Sequence, residues 1–307
     1  SWYRRQRQMC IRDSFSAGVD QAGTYYVGVI ADDYRHDSGE YGVTVTTSNT
    51  LGSVETEDNS TLATADTLTN GQEIKGQLST SSDIDYYALS VSQPGVISLS
   101  FDAPTNSSYT DYFEIGLYNS SGVLIGGQET GQDTSFSAGV DQAGIYYVGV
   151  IADDYWHDSG EYGVTVTTSN TLGSVETEDN NTLATADTLT NGQEIKGQLS
   201  TSSDIDYYAL SVSQPGVISL SFDAPTNSSY TDYFEIGLYN SSGVLIGGQE
   251  TGQDTSFSAG VDQAGTYYVG VIADAYYHDS GEYGITANVS TVIAVSYTHL
   301  RAHETNQ

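Results

Sequence analysis

The sequence predicts an all-β protein made of tandem, jelly-roll-like β-sandwich domains with about eight antiparallel strands each. Two observations lead to this prediction: short segments alternate apolar and polar residues with turn residues between them, and the whole pattern repeats along the chain. Phe15, Phe136 and Phe257 each begin the same stretch, FSAGVDQAG, so the period is 121 residues. Solenoid units are typically about 20–45 residues long, so this period indicates whole domains joined in series.

The domain boundaries follow from composition. Residues 47–53 and 168–174 are small, polar and without periodicity, which is typical of linkers. We therefore expect a first complete unit at 54–167, a second at 175–288, and the C-terminal part of a truncated unit at 14–46. So few strands bury too little apolar surface to offset the entropy of ordering. The truncated unit should therefore pack poorly or lean on a neighbour, leaving side chains such as Phe15, Tyr26 and Val29 without a core of their own.

Within the first unit the apolar residues recur with a period of two, which is the period of a strand. Ile97, Leu99 and Phe101, for example, alternate with serines, so one face of this strand is apolar and the other suits water. Clusters of Gly, Pro, Asn and Asp between the segments favour turns. Thr61–Leu68 is predicted as a single helical turn. The predicted strands are 73–79, 84–91, 96–102, 112–118, 123–129, 134–140, 145–152 and 161–167.

The two ends of the chain differ in composition from its body. Most of the basic residues, together with Met9 and Cys10, lie close to one terminus or the other. Residues 1–14 and 295–305 resemble translated sequencing-adaptor sequence of the kind found at the edges of assembled environmental fragments; a genuine basic arm or an added tail is the alternative. We treat 1–13 and 289–307, the latter from about 295, as tails. The chain is accordingly expected to be a fragment of a larger protein.

Composition excludes several classes of function. The chain has 8 Lys and Arg against 40 Asp and Glu, for a net charge of −32, so it has no basic face with which to bind nucleic acid. It has no apolar run of about 18 residues, so no membrane span is expected. With Cys10 in the tail, the body has no thiol chemistry. Motifs of serine hydrolases, zinc proteases and phosphate-binding loops are missing, so we expect no enzyme in these domains.

Acidic residues cluster at the start of each unit. The acidic segment, which we define as Val54–Asn59 and its copy Val175–Asn180, reads VETEDN. An Asp-x-Asp motif at Asp83 and Asp85 begins a later strand. Ca²⁺ prefers six to eight oxygen ligands from carboxylates, amides and backbone carbonyls, and these two elements supply such groups. Solvation of a linker in a chain that is acidic throughout is the alternative interpretation.

The order of motifs along each unit is distinctive. It runs Glu-x-Glu-x-Asn, Ala-x-x-Leu, Gly-x-Leu, Asp-x-Asp-Tyr-Tyr, Gly-Val-Ile-Ser-Leu, Leu-Tyr-x-x-x-Gly, Ala-Gly-x-Tyr-Tyr-Val and Ser-Gly-x-Tyr-x-Val-x-Val. This order resembles the bacterial pre-peptidase C-terminal (PPC) domain, whose members are extracellular β-sandwich modules of secreted proteases and other hydrolases. The collagen-binding modules of bacterial collagenases are similar.

The resemblance implies a calcium site in each unit, formed by the acidic segment and the Asp-x-Asp motif. The spacing before the second Asp varies among relatives, which bears on Asp83 and Asp204. Ser60 stands where the second unit has Asn181, and this replaces an amide that could be a ligand. Carried onto this sequence, the resemblance nominates Glu55, Glu57, Asn59, Asp83 and Asp85 in the first unit, and Glu176, Glu178, Asn180, Asp204 and Asp206 in the second.

A third polar cluster, Ala152–Gly160, contains Trp156 and His157. It is either a ligand site with a stacking platform or simply the polar tip of a hairpin. The Tyr-Tyr pairs, such as Tyr86 and Tyr87, sit at strand spacing and are interpreted as packing residues rather than chemistry.

Two functions fit these observations. In the first, the units are non-catalytic, calcium-binding accessory domains of a secreted bacterial hydrolase, with a role in substrate binding or secretion and an extracellular protein or polysaccharide as the partner. In the second, they are spacer repeats of a large surface adhesin, in which calcium stiffens each joint. The near-identity of the copies favours the spacer, and the resemblance favours the accessory domain.

Overall fold

A computed structural model describes residues 15–30, 40–48, 52–104, 113–152, 160–225, 234–273 and 281–291. These residues contain 18 strands in four sheets and no helix, so the predicted all-β class is confirmed. Within the same residues, no helix has the length and hydropathy that crossing a membrane requires.

Each complete unit is a sandwich of a five-stranded and a four-stranded sheet. In the first unit the sheets have the orders β1-β3-β8-β5-β6 and β2-β9-β4-β7. All pairs are antiparallel except β1 with β3. The strands are β1 Asp66–Thr67, β2 Glu73–Gly76, β3 Ile84–Val91, β4 Gly95–Asp102, β5 Phe113–Tyr118, β6 Leu124–Thr130, β7 Thr134–Val140, β8 Gly144–Ala152 and β9 Tyr162–Ser169.

The second unit repeats this architecture, with sheets ordered β10-β12-β17-β14-β15 and β11-β18-β13-β16. Strands β9 and β18 run to Ser169 and Thr291, beyond the predicted domain ends. Its strands are β10 Asp187–Thr188, β11 Glu194–Gly197, β12 Ile205–Val212, β13 Gly216–Asp223, β14 Phe234–Tyr239, β15 Leu245–Thr251, β16 Thr255–Val261, β17 Gly265–Ala273 and β18 Tyr283–Thr291.

The core of each sandwich is formed by the inward side chains of both sheets. In the first unit, Phe101 on β4 and Phe113 on β5 belong to opposite sheets, and their ring centroids lie 5.2 Å apart. Tyr162 on β9 packs 6.0 Å from Phe113 and is 1% exposed. This alternation of buried and exposed positions is what the period of two in the sequence predicts.

Two local predictions were wrong. The stretch predicted as a helical turn, Thr61–Leu68, is a hydrogen-bonded turn at Thr61–Thr64 followed by strand β1, because extending the chain buries Leu68 and lets its amide donate to the backbone oxygen of Ala88 at 2.9 Å. Strand 73–79 ends at Gly76, because the next backbone amides do not join a ladder. The amide of Gln77 donates to the Glu55 carboxylate at 2.5 Å instead.

In its described residues, 15–30 and 40–48, the truncated unit has no core of its own. Phe15, Tyr26 and Val29 are 67%, 91% and 55% exposed, as expected for an incomplete sandwich. Its described contact with the first unit runs through two backbone amides: Gly18 donates to the backbone oxygen of Glu55 at 3.0 Å, and Ser16 to the carboxylate of Glu161 at 2.7 Å.

The two complete units meet through the same contact, displaced by one period. Gly139 donates to the backbone oxygen of Glu176 at 2.8 Å, and Ser137 donates to the Glu282 carboxylate at 3.1 Å. The other oxygen of Glu282 binds Lys196 at 2.5 Å. The junction is therefore a repeated structural element, and it places the acidic segment of one unit against strand β7 of the unit before it.

Candidate metal centre

Each unit brings three carboxylates together beside the edge strand of its smaller sheet. The acidic segment runs alongside β2, and the amide of Glu55 donates to the backbone oxygen of Lys75 at 2.9 Å. Carboxylate oxygens of Glu55, Glu57 and Asp85 all lie within 4.8 Å of one another, and those of Glu176, Glu178 and Asp206 do the same. Two ligands of one Ca²⁺ ion lie at most about 4.6–5.2 Å apart, which is twice the usual bond length. The spacing therefore suits a single shared ion.

Asp85 reaches this cluster because of its position along β3. It is in phase with Tyr87, Leu89 and Val91, which point into the core, and it is itself 0% exposed. A strand with a period of two sends every second side chain inward. The pairing of β3 with β8 therefore buries a carboxylate at the start of the strand, where the acidic segment arrives.

Tyrosine hydroxyls hold one side of the cluster. Tyr87 donates to Glu55 Oε2 at 2.6 Å, and its hydroxyl lies 2.6 Å from that of Tyr162, which in turn donates to Asp85. Tyr87 is buried in the core, as expected for a packing residue, and so is Tyr162, but their hydroxyls also orient the carboxylates. The second unit has the same network in Tyr208, Tyr283, Glu176 and Asp206.

The other side of the cluster is made of oxygens without partners. Among the described residues, no hydrogen-bond donor reaches the buried Oδ1 atoms of Asn59 and Asp85. Asn59 is 0% exposed, and its amide nitrogen already donates to Glu55. Buried acceptors are normally satisfied, and leaving one without a partner costs about 1–3 kcal/mol. The second unit has the same feature at Glu178 Oε1, Asn180 Oδ1 and Asp206 Oδ1.

Burial makes the charged forms of these acids unfavourable. Desolvation, reinforced by the Glu55 charge, raises the pKa of Asp85 to about 9. Desolvation and the neighbouring Glu176 raise the pKa of Glu178 to about 9 in the same way, and desolvation raises that of Glu176 to about 8. The two lysines of the chain bind Glu161 and Glu282, outside the cluster. A bound cation would supply the positive charge that the described side chains do not.

Asp83 and Asp204 have a different role from the other nominated residues. The Oδ2 atom of Asp83 accepts from both the amide and the hydroxyl of Ser79 at 2.6 Å, and Asp204 binds Ser200 in the same way at 2.7 Å. Both aspartates thereby close the loop before the strand. The pKa of Glu57 is raised to about 7, mainly by desolvation and next by the charge of Asp83.

Sequence reasoning missed one further acid in each unit. Asp66 accepts from the amide of Thr56 at 2.6 Å, and Asp187 accepts from that of Thr177 at 2.6 Å. Each of these aspartates fixes the middle of an acidic segment from the two-residue strand that follows it. Asp66 could have been recognised from its place in strand β1, but this stretch was predicted as a helical turn.

The two sites differ in how far they are enclosed. Glu57 is exposed, whereas Glu178 is half-buried, although the two acidic segments are identical in sequence. Gln198 is 2% exposed, because the preceding complete unit packs against it, while its counterpart Gln77 is only half-buried. The junction therefore shields the second site. Residues 153–159 of the third polar cluster, which include Trp156 and His157, lie outside the described residues.

Comparisons with known proteins gave no matching family model and no matching curated protein. Among solved structures, the chain is similar to the pre-peptidase C-terminal domain of a Bacillus anthracis collagenase, at 21% identity and a TM-score of 0.27, covering 34% of this chain and 94% of that one. It is also similar to tandem CBM51 modules of a family 98 glycoside hydrolase from Streptococcus pneumoniae, at 10% identity and a TM-score of 0.27, covering 72% and 84%. A third is the M60 catalytic domain with two CBM51 domains of Clostridium perfringens ZmpB, at 7% identity and a TM-score of 0.25, covering 71% and 34%. The first of these is from the family that the sequence motifs resemble.

Proposed function

We propose that the complete units are non-catalytic modules, each of which binds one calcium ion at the start of its sandwich. The observation that carries this proposal is that three carboxylates cluster in each unit and that several buried oxygens of the same residues and of the neighbouring Asn have no hydrogen-bond partner among the described residues. Solvated acids would be exposed to water, whereas Asp85 and Asp206 are 0% exposed and the Oδ1 atom of each has no hydrogen-bond partner among the described residues.

Each residue of the cluster would supply a different ligand to the ion. Glu55, Glu57 and Asp85 would supply carboxylate oxygens, and Asn59 would supply its amide oxygen. Backbone carbonyls and water would complete the six to eight ligands that Ca²⁺ takes. Tyr87 stays outside the shell, since its hydroxyl donates to the Glu55 carboxylate and orients it. The all-oxygen donor set suits a hard cation such as calcium and disfavours metals that prefer sulfur or nitrogen.

We propose an accessory role for these modules in a secreted bacterial hydrolase, where they would bind an extracellular protein or polysaccharide. The motif order of the PPC domain supports this role. A second candidate is a spacer in a surface adhesin, and the repeated junction favours it, because Gly139 and Gly18 make the same contact one period apart. The full gene distinguishes these roles: a hydrolase domain beside the repeats supports the first, and many further repeats with an anchor support the second.

Calcium binding is tested by isothermal titration calorimetry of the chelator-treated chain. We expect two calcium ions per chain, one for each cluster. Asp206→Asn should leave one, and Asp206→Asn with Asp85→Asn should leave none. Asp223→Asn is the matched control, since Asp223 is an exposed strand residue, and it should keep both. Two remaining sites in the double variant, or no binding by the parent chain, would refute the proposal.

A further inference from the structure

The acidic segment Val175–Asn180 lies between the two complete units and contacts both. On one side it runs beside β11 of its own unit, where the amide of Glu176 donates to the backbone oxygen of Lys196 at 2.9 Å. On the other side it runs beside β7 of the preceding unit. There Gly139 donates to the backbone oxygen of Glu176 at 2.8 Å and forms a parallel bridge with Thr177. The segment therefore has backbone partners in two sandwiches.

Glu176 belongs both to the carboxylate cluster and to the junction. Its carboxylate lies in the cluster with those of Glu178 and Asp206, and the residue is 3% exposed. Its backbone oxygen is the atom that accepts from Gly139 of the preceding unit. Because the carboxylate is attached to this backbone, any displacement of the segment from β7 also moves a proposed calcium ligand.

Gln198 provides a second connection between the cluster and the preceding unit. Its backbone amide donates to the Glu176 carboxylate, and its side-chain amide donates to the backbone oxygen of Gly127 at 3.2 Å. A Cβ atom added at Gly126 would lie 2.8 Å from Gln198 Oε1, so glycine at this position permits the close approach. One residue thus orients a carboxylate of the second site and is itself held by the first unit.

We infer that the preceding unit sets the calcium affinity of the following unit, because the junction orders the acidic segment before the ion binds. This inference rests on the proposed calcium sites. A segment that is already fixed loses less conformational entropy on binding than one that is ordered at that moment, so preorganisation raises affinity. Gly139 and Gly127 are positioning residues, since they act through Glu176 and Gln198.

The first unit has a corresponding contact, so the two sites can be perturbed separately. Gly18 donates to the backbone oxygen of Glu55 at 3.0 Å and forms a parallel bridge with Thr56. A Cβ atom added at Gly139 would lie 2.3 Å from the backbone oxygen of Glu176, and one added at Gly18 would lie 2.0 Å from that of Glu55. A side chain at either glycine therefore displaces the acidic segment of the following unit.

The test is isothermal titration calorimetry of calcium binding to full chains that retain a single site. Asp85→Asn leaves the site of the second unit, and Asp206→Asn leaves that of the first. Adding Gly139→Val to Asp85→Asn should lower the calcium affinity of the second site about tenfold, which lies within the range typical of coupling between sites. Gln198→Ala keeps the backbone amide that binds Glu176 but removes the contact with the preceding unit, and it should lower the affinity in the same direction.

The matched control separates this coupling from damage to the unit that carries the substitution. Gly139 lies on β7 of the first unit, so damage to that sandwich would weaken the first site, whereas the inference predicts an effect at the second. Gly139→Val should therefore leave the calcium affinity of the Asp206→Asn chain unchanged, and Gly18→Val should leave that of the Asp85→Asn chain unchanged.

Two results would overturn the inference while leaving the calcium sites in place. One is an unchanged affinity of the second site in both Gly139→Val and Gln198→Ala, with native circular dichroism. The other is an equal loss of affinity at both sites in Gly139→Val, which would assign the effect to the fold. An absence of calcium binding in the Asp85→Asn chain would refute the proposed second site itself, and the inference with it.

Discussion

Glu178 provides a test in which one substitution has opposite effects in two buffers. Its Oε1 atom has no partner among the described residues, and its pKa is raised to about 9 by burial and by Glu176. In Glu178→Gln, the amide keeps the shape of the side chain but cannot ionise. We expect the second unit of this variant to be more stable than the parent in chelator and less stable than the parent in calcium.

The magnitudes follow from the protonation and binding equilibria. At about pH 7.5 the folded parent must keep Glu178 protonated or accept a buried charge, whereas the unfolded chain ionises freely, so the substitution should stabilise by on the order of 1–4 kcal/mol. Calcium at 100 times its dissociation constant stabilises the parent by about 2.7 kcal/mol, and the variant loses most of this. At roughly 4 °C per kcal/mol for a domain of this size, the calcium-induced rise in melting temperature should shrink by about 10 °C.

Differential scanning calorimetry with calcium and with chelator measures both effects. Glu57→Gln makes the same change in the first unit, where the residue is exposed and its pKa is raised only to about 7. It should abolish the calcium response of that unit with a smaller gain in chelator. Glu235→Gln, at an exposed strand position, is the neutral control. A Glu178→Gln variant that melts like the parent in both buffers would refute the reasoning, and a loss of stability in both would show that Glu178 acts only through packing.

Three further outcomes are expected. In chelator, the stability of the protein should fall as the pH rises from about 4.5 to about 9, because acids with a raised pKa hold more protons in the folded than in the unfolded state. Calcium should flatten this dependence in thermal melts. A chelator-treated protein that gains stability over the same pH range would contradict this expectation. Tyr283→Phe removes the donor to Asp206 and should cost about 1.5–3 kcal/mol in urea unfolding, more than Tyr267→Phe, whose hydroxyl binds only a backbone oxygen. Gly139→Val pushes a side chain against the backbone of Glu176 and should separate the units, which small-angle scattering would detect as a larger radius of gyration; an unchanged radius would show that the junction tolerates it.

Sequence reasoning predicted the all-β fold, because the fold depends on local patterns, and it nominated the carboxylates through the order of motifs along each unit. The period of two identified the strands, and it also put Asp85 in phase with Tyr87 and Leu89, so its burial was already encoded. The repeat predicted the domains, because the same motifs return after 121 residues.

Other features depend on contacts between distant segments and could not be read from the pattern. Tyr162 reaches Asp85 across 77 positions of sequence, and nothing local distinguishes its hydroxyl from that of any core tyrosine. The apolar spacing of Thr61–Leu68 fits a helical turn as well as a strand, and pairing with β3 decided between them. Strand β2 ends early because the Glu55 carboxylate takes the next amide, which is a tertiary contact.

The repeated junction determines how self-association depends on length in a natural chain of many such repeats. A linker as short as 168–174 gives adjacent repeats an effective concentration in the millimolar range. Each repeat therefore makes the junction contact with the next repeat of the same chain in preference to a repeat of another molecule. Only the last repeat of such a molecule would then keep an uncovered junction surface. Adding repeats lengthens the molecule without adding uncovered junction surfaces. A chain with dozens of repeats would therefore self-associate no more strongly than a chain with two.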